Sequence, residues 1–60
     1  MTTLEFTIRR DPEILDSEGI EYWVYEEVEG ARQQGNYIII TMPDRSAFVP
    51  MSWVVAVKEI

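Results

Sequence analysis

The chain has 60 residues, a formal net charge of −6, no cysteine and no histidine. The absence of these two residue types excludes disulfides, Cys/His zinc sites, thiol chemistry and a histidine general base. Sixty residues make one domain, which we place over the whole range 1–60, and a chain of this length buries only about 60% of the surface that it exposes when unfolded.

The apolar runs of the chain are short. The longest, IIITM at residues 38–42 and VVAV at residues 54–57, fall far below the roughly 20 residues that a membrane helix needs. The N-terminal residues MTTLEFTIRRD lack the basic region and apolar stretch of a signal peptide. The sequence therefore predicts a soluble, cytoplasmic protein that does not bind membranes.

Charge is unevenly distributed along the chain. Residues 11–29 contain eight of the eleven acidic residues and no lysine or arginine, whereas the rest of the chain has three acidic residues and five basic ones. An acidic segment of this kind repels phosphates and anionic lipid heads. We therefore expect no direct nucleic-acid binding, and we expect the partner to be a basic protein surface or a second copy of the chain.

The first predicted strand is LEFTI, where Leu4, Phe6 and Ile8 alternate with polar residues and form one apolar face. Residues 11–19 (DPEILDSEG) follow. Asp11 suits the cap of a helix, the proline after it suits the first helical position, and Gly19 suits the exit. This segment is predicted to be a short helical turn or an ordered loop.

Residues 20–30 (IEYWVYEEVEG) alternate again and are rich in strand-forming residues. The core face is predicted to carry Ile20, Tyr22, Val24 and Val28. The opposite face is predicted to carry Glu21, Trp23, Tyr25, Glu27 and Glu29. The aromatic rings of this second face either pack against another part of the protein or form an exposed patch surrounded by acids.

The second half of the chain contains three more predicted strands. ARQQGN is read as a connection, and YIIITM, which is apolar on both faces, as a central strand. PDRS is typical of a tight turn, SAFV forms its hairpin partner, and VVAVKEI is the last strand. The predicted fold is all-β: one five-stranded antiparallel sheet curled into a small barrel, whose long first loop holds at most one helical turn.

The stretch AFVPMSWV, residues 47–54, makes the predicted fold more specific. Pro50 cannot donate to a β-ladder, so its strand ends there or lies at an edge. The next three residues, up to Trp53, are predicted to form a 3₁₀ turn before the last strand. This stretch resembles the end of an SH3-like domain, and the order of strands and loops along the chain is similar too.

The resemblance implies a five-stranded SH3-like barrel. Only Pro50 and Trp53 match positions with which such domains line a polyproline groove. The paired tryptophans that such domains carry after the n-Src loop are missing, and Tyr37 is the nearest candidate for them. The first strand, with Phe6 as its one aromatic residue, lacks their aromatic-rich signature. A PH-like fragment or a β-α-β-β-β sheet is the alternative architecture.

No residue pattern predicts catalysis, a metal or a cofactor. Glu26 and Glu27 are adjacent in a predicted strand and would point to opposite faces. The acids of residues 11–18 do not have the spacing of a calcium loop, the glycines form no phosphate loop, and the serines have no histidine to activate them. We expect a protein that acts by contact and not an enzyme.

The sequence therefore predicts a small acidic binding module that contacts a basic protein through its acidic loop and an aromatic patch. The predicted partner-binding residues are Glu21, Trp23, Tyr25, Glu27, Glu29, Tyr37, Pro50 and Trp53. One alternative is a homo-oligomer that uses the aromatic face as its interface, which would compensate for the small core. The other is a DNA-mimicking inhibitor; the small size suggests a bacterial, phage or mobile-element accessory protein.

Overall fold

The structure, a computed structural model, describes residues 2–11 and 19–60. These residues form β1 (Thr2–Arg9), β2 (Ile20–Val28), β3 (Gly30–Gln34), β4 (Tyr37–Met42), β5 (Arg45–Pro50), a 3₁₀ turn (Met51–Trp53) and β6 (Val54–Glu59). The all-β prediction is confirmed. The helical turn or loop predicted for residues 11–19 falls mainly on residues 12–18, which lie outside the described residues. No helix in the described part has the length and apolar composition that a membrane span requires.

The strands form two antiparallel sheets of three strands each, in the orders β2-β1-β6 and β3-β4-β5. The structure thus has one strand more than predicted and two sheets instead of one, and it does not confirm a closed barrel. The additional strand is β3, and the prediction of a connection at this place is wrong. It follows β2 after a single residue, Glu29, whose backbone N–H donates to the Thr41 carbonyl at 2.8 Å.

In the first sheet, β1 lies in the middle and directs its predicted apolar face toward the core. Phe6 pairs with Trp23 on one side and with Val57 on the other. Phe6 is 1% exposed and Ile8 is fully buried. The prediction for LEFTI is therefore confirmed, because the alternation of this strand places only one of its faces in contact with the second sheet.

The predicted faces of β2 are wrong over most of its length. Trp23 and Tyr25 pack against the core, whereas Tyr22 is 63% exposed and Val24 is 50% exposed. Both faces of this strand carry apolar strand-forming residues, so alternation alone does not choose between them. Pairing with β1 determines which face of β2 is turned inward, since Trp23 lies opposite the buried Phe6.

The prediction that Val28 belongs to the core is confirmed, because a β-bulge changes the phase of the strand. Tyr25 pairs with Leu4 and Val28 pairs with Thr2, so three residues of β2 span two residues of β1. Glu27 lies within this bulge and has a positive φ of 57°. The extra residue returns the side chain of Val28, which is 6% exposed, to the same face as Tyr25.

In the second sheet, β4 is the middle strand, as predicted for YIIITM. Its inner face carries the buried Ile40 and Met42, and its outer face carries Ile39, which is only 9% exposed. The strand is joined to β3 through Gly35, whose φ is 61°, and Asn36. The turn to β5 is formed by the two residues after Met42, where PDRS was predicted to turn.

One core lies between the two sheets. It contains Phe6, Ile8, Val28, Ile40, Met42 and Val49. The predicted strand–proline–turn–strand element is confirmed: Pro50 ends β5 with φ −61°, and the 3₁₀ turn follows it. The Met51 N–H donates to the Asn36 carbonyl at 2.9 Å, and the Ile60 N–H donates to the Thr3 carbonyl at 2.9 Å, so the two ends of the described chain lie side by side.

Candidate functional site

The residues predicted to bind a partner do not form one continuous patch. Glu21, Trp23 and Trp53 surround Arg10. Tyr37 and Pro50 form a pair on the outer face of the second sheet. Glu27 and Glu29 lie at and just after the β-bulge, and Tyr25 packs against the core. Their role in binding stays a prediction. Of the two environments left open for the rings of Trp23 and Tyr25, the structure shows packing, because the inner face of β2 carries Glu21, Trp23 and Tyr25.

Arg10, Glu21, Trp23 and Trp53 form a group that we call the arginine–tryptophan cluster. The Trp23 and Trp53 rings meet edge to face, with centroids 6.1 Å apart and an interplanar angle of 79°. The Arg10 guanidinium carbon lies 5.6 Å from the centroid of Trp23 and 5.4 Å from that of Trp53. Both distances fall within the range of about 6 Å over which a cation is attracted to an aromatic face.

Glu21 completes the cluster. Its Oε2 accepts from Arg10 Nε at 2.8 Å, and its Oε1 accepts a long hydrogen bond from Trp23 Nε1 at 3.4 Å. Glu21 and Trp23 are two residues apart on one strand, so their side chains share a face. The cluster stays open to solvent, since the side chains of Arg10 and Glu21 are 57% and 43% exposed. The carboxylate of Glu21 and the rings of Trp23 and Trp53 together form surroundings that suit a cation.

Tyr25 is part of the packing between the sheets. Its ring meets the ring of Phe6 edge to face, with centroids 5.8 Å apart and an angle of 84° between the planes. Burial raises the pKa of the Tyr25 phenol above its ordinary value of 10.0, and the nearby Arg45 guanidinium lowers it by a smaller amount. In this position Tyr25 contributes its ring to the core.

The outer face of the second sheet carries a group that we call the aromatic shelf: Gln34, Tyr37, Ile39, Phe48 and Pro50. Tyr37 lies between Gln34 and Pro50 in the strand register, and Ile39 lies opposite Phe48. The first four of these residues line an open pocket of about 500 Å³. Phe48 is 62% exposed and Tyr37 is 49% exposed, so the shelf presents aromatic surface to solvent.

Sequence reasoning included Tyr37 and Pro50 in the site but missed Phe48. The signal was available in the alternation of β5. Ala47 and Val49 are apolar and face the core, so Phe48, which lies between them, faces outward. Trp53 is not among the residues that line the pocket beside Tyr37; it is half-buried and packs against the core and Trp23.

An acidic pocket of about 340 Å³ lies where the bulge of β2 meets the turn between β4 and β5. It is lined by Glu26, Glu27, Met42, Pro43, Asp44 and Arg45. The bulge places two consecutive glutamates there, and Arg45 supplies a positive charge beside them. Within the described part of the chain, no group of three or more histidine, cysteine or acidic residues is arranged to hold a metal ion.

Comparison with known proteins adds no relative to this description. No family model matches the chain, and neither a curated protein nor a solved structure has significant similarity to it.

Proposed function

We propose that this chain is a non-catalytic protein-binding module whose basic partner docks on the aromatic shelf. The observation that carries the proposal is the exposure of Phe48 and Tyr37, at 62% and 49%, around an open pocket. Aromatic side chains are enriched among the residues that dominate binding energy at protein interfaces. A contiguous apolar patch on the surface of a small protein is a feature of contact sites.

The charge distribution supports a partner that is basic. The acids Glu26, Glu27 and Asp44 line a pocket at the end of the hairpin whose strands carry the shelf. Glu29 is exposed and is joined through its backbone to Thr41 of the same sheet. A partner rich in lysine and arginine would be attracted to this end of the sheet while its apolar residues contact Phe48.

For the fold, we propose that the two sheets are the halves of an SH3-like barrel. Support comes from β2 and β3, which are separated only by Glu29 and so form one long segment that contributes to both sheets. Further support comes from Pro50 and the 3₁₀ turn before the last strand. The proposal does not extend to polyproline recognition, because Trp53 contacts Trp23 and Arg10 and is absent from the pocket beside Tyr37.

The test is affinity capture with three versions of the immobilised chain: wild type, Phe48→Ser and Tyr22→Ser. Tyr22 is the matched control, since it is 63% exposed but belongs to the other sheet. Proteins that bind the shelf should be retained by wild type and by Tyr22→Ser. Their retention by Phe48→Ser should fall about tenfold or more, the loss expected when a central aromatic residue of an interface is removed.

Circular dichroism of the three versions checks that each is folded. Equal retention of the same proteins by wild type and Phe48→Ser would contradict docking on the shelf. Retained proteins that are acidic, or whose binding is unaffected by salt, would contradict the electrostatic part of the proposal, since exposed charge contacts weaken as salt is raised.

Self-association is the second candidate function, and the number of exposed large apolar residues favours it. Beyond Tyr37 and Phe48, these are Tyr22, Val24, Met51, Val55, Val57 and Ile60. Light scattering over a concentration series separates the two functions. A module that binds another protein stays monomeric, whereas a dimer that Phe48→Ser dissociates and Tyr22→Ser does not would assign the shelf to a second copy.

A further inference from the structure

The arginine–tryptophan cluster connects β2 to the turn before β6, and its geometry also suits the binding of a cation. Trp23 and Trp53 lie at 79° to each other and form two walls of a corner. The Arg10 guanidinium carbon is nearly equidistant from both rings, at 5.6 and 5.4 Å. A cation in such a corner interacts with two aromatic faces at once, which is the arrangement by which proteins bind guanidinium and quaternary ammonium groups.

Glu21 selects among such cations. Its carboxylate accepts from Arg10 Nε at 2.8 Å while its other oxygen is held by Trp23 Nε1 at 3.4 Å. A guanidinium is planar, stacks on aromatic faces and is more weakly hydrated than an ammonium ion, so it suits a carboxylate that lies beside two rings. The two rings and the carboxylate therefore form a site whose preferred ligand is an arginine side chain.

Arg10 occupies this site in the structure and is held there by contacts of its side chain, which another ligand can replace. Arg10 follows the last paired residue of β1, Arg9, and takes no part in the strand register. Its side chain is 57% exposed, and ion pairs at such exposure contribute little to stability because solvent screens them. The guanidinium can leave the corner without breaking a backbone hydrogen bond of the sheet.

We propose that Trp23, Trp53 and Glu21 form a receptor site for an arginine side chain, which Arg10 occupies in the free protein and an arginine of a partner occupies in the complex. This inference builds on the proposed function, since it names one chemical group of the basic partner. The arginine site lies at the arginine–tryptophan cluster and not on the aromatic shelf. Either proposal, docking on the shelf or arginine binding at the cluster, can therefore fail while the other holds.

The experiment uses arginine amide with a blocked N-terminus as the probe. Both tryptophans of the chain belong to the cluster, so intrinsic fluorescence reports on this site directly. Arg10→Ala removes the internal competitor, and the probe should then bind in a saturable manner and more tightly than to wild type. The gain is about tenfold if Arg10 occupies the corner for nine-tenths of the time.

Three controls make the result specific. The corresponding citrulline amide has the shape of arginine without its charge and should cause no saturable change. Arg32→Ala removes an exposed arginine outside the cluster and should bind the probe as wild type does. Glu21→Gln, added to Arg10→Ala, should weaken binding of the probe because the counter-ion is lost.

A folded Arg10→Ala variant that shows no saturable response to arginine amide, or an equal response to citrulline amide, would overturn the proposal. If Arg10→Ala does not fold, nuclear magnetic resonance of wild type decides. The indole N–H signals of Trp23 and Trp53 should shift together with arginine amide at millimolar concentration and stay fixed with citrulline amide; fixed signals in both titrations would also overturn it. Because the probe is a single amino acid, this result is independent of capture through the shelf.

Discussion

Tyr22 and Tyr25 are three residues apart on β2 and lie in opposite environments. Tyr22 is 63% exposed, whereas Tyr25 packs edge to face against Phe6. The difference follows from the pairing of β2 with β1, which directs odd-numbered residues of this stretch inward. Burial raises the pKa of the Tyr25 phenol, so ionisation of Tyr25 is coupled to folding.

The first prediction concerns alkaline pH. Burial raises the pKa of Tyr25 above 10.0 in the folded protein, so the unfolded chain loses this proton at a lower pH than the folded one. The stabilisation from the protonated phenol is complete below the unfolded pKa of about 10 and is lost as pH rises through the folded pKa. The free energy of unfolding, measured with urea, should therefore fall as pH increases above about 10.

Tyr25→Phe should reduce this fall in the free energy of unfolding because it removes the coupled group. Tyr22→Phe is the matched control and should retain the fall, since it removes the same hydroxyl from an exposed residue and leaves Tyr25 intact. An unchanged pH dependence in Tyr25→Phe would show that the decrease comes from other groups that lose protons in this range.

Among the strands, β2 shows the largest departure from regular geometry. Its bulge contains Glu27, the one non-glycine residue with positive φ in the described part of the chain. A left-handed conformation costs a residue with a Cβ about 1–2 kcal/mol, whereas glycine adopts it freely. The bulge therefore stores strain at a single position, and it also brings Glu26 and Glu27 into the acidic pocket.

The second prediction follows from this strain. Glu27→Gly should raise the free energy of unfolding by about 0.5–1 kcal/mol, since the relief of strain exceeds the entropy that glycine adds to the unfolded chain. Glu26→Gly is the control next to it and should lower the free energy of unfolding by about 0.5–1 kcal/mol, because it adds the entropy without relieving strain. Urea denaturation of both variants measures the difference, and effects of equal sign would contradict the role of the bulge.

Alternation and turn chemistry were sufficient to predict β1, β4 and the element around Pro50. β1 has apolar residues on one face only, and β4 has them on both faces, so each pattern corresponds to one position in a sheet. Pro50 lacks an N–H, so a strand that contains it ends there or lies at the edge of a sheet. These parts of the fold were predicted because local chemistry left no competing solution.

Other features depended on contacts that a single strand does not encode. All five residues of β3 (GARQQ) are exposed, and the strand has no apolar pattern. It is recognisable as a strand only through its pairing with β4. The faces of β2 were misassigned because Trp23 and Tyr22 are equally suited to a strand. The arginine–tryptophan cluster joins residues 10, 21, 23 and 53, and no spacing in the sequence indicates that they meet.

At the scale of the whole molecule, the two sheets share one core. Phe6, Ile8 and Val28 come from the first sheet, and the remaining buried residues come from the second. The apolar face of each sheet is covered by the other sheet, so neither sheet is expected to stay folded alone. A chain of 60 residues has a free energy of unfolding of about 3–9 kcal/mol on average, and single core residues account for a large part of it.

The third prediction tests this cooperativity. Ile40 is fully buried in the second sheet, and Ile40→Ala should lower the free energy of unfolding by about 2–5 kcal/mol. Trp23 belongs to β2 in the first sheet, and Trp53 belongs to the turn before β6. Their fluorescence therefore reports mainly on the side of the core opposite Ile40. Fluorescence and circular dichroism should nevertheless show the same shifted midpoint.

Ile60→Ala is the control, since Ile60 is 66% exposed and its backbone hydrogen bond to Thr3 is retained. It should change the free energy of unfolding by less than about 0.5 kcal/mol. Separate midpoints for the two probes in Ile40→Ala would mean that the sheets unfold independently.

The bond between Ile60 and Thr3 also determines how the protein responds to mechanical force. β1 starts where β6 ends, and the two strands are antiparallel neighbours. The hydrogen bonds of an antiparallel pair run perpendicular to the strands, so tension applied at these two ends acts along the bonds and loads them one after another. Pulled in an optical trap, the domain would unzip from Ile60 inward at low force, although the same hydrogen bonds would resist together if the strands were sheared lengthwise.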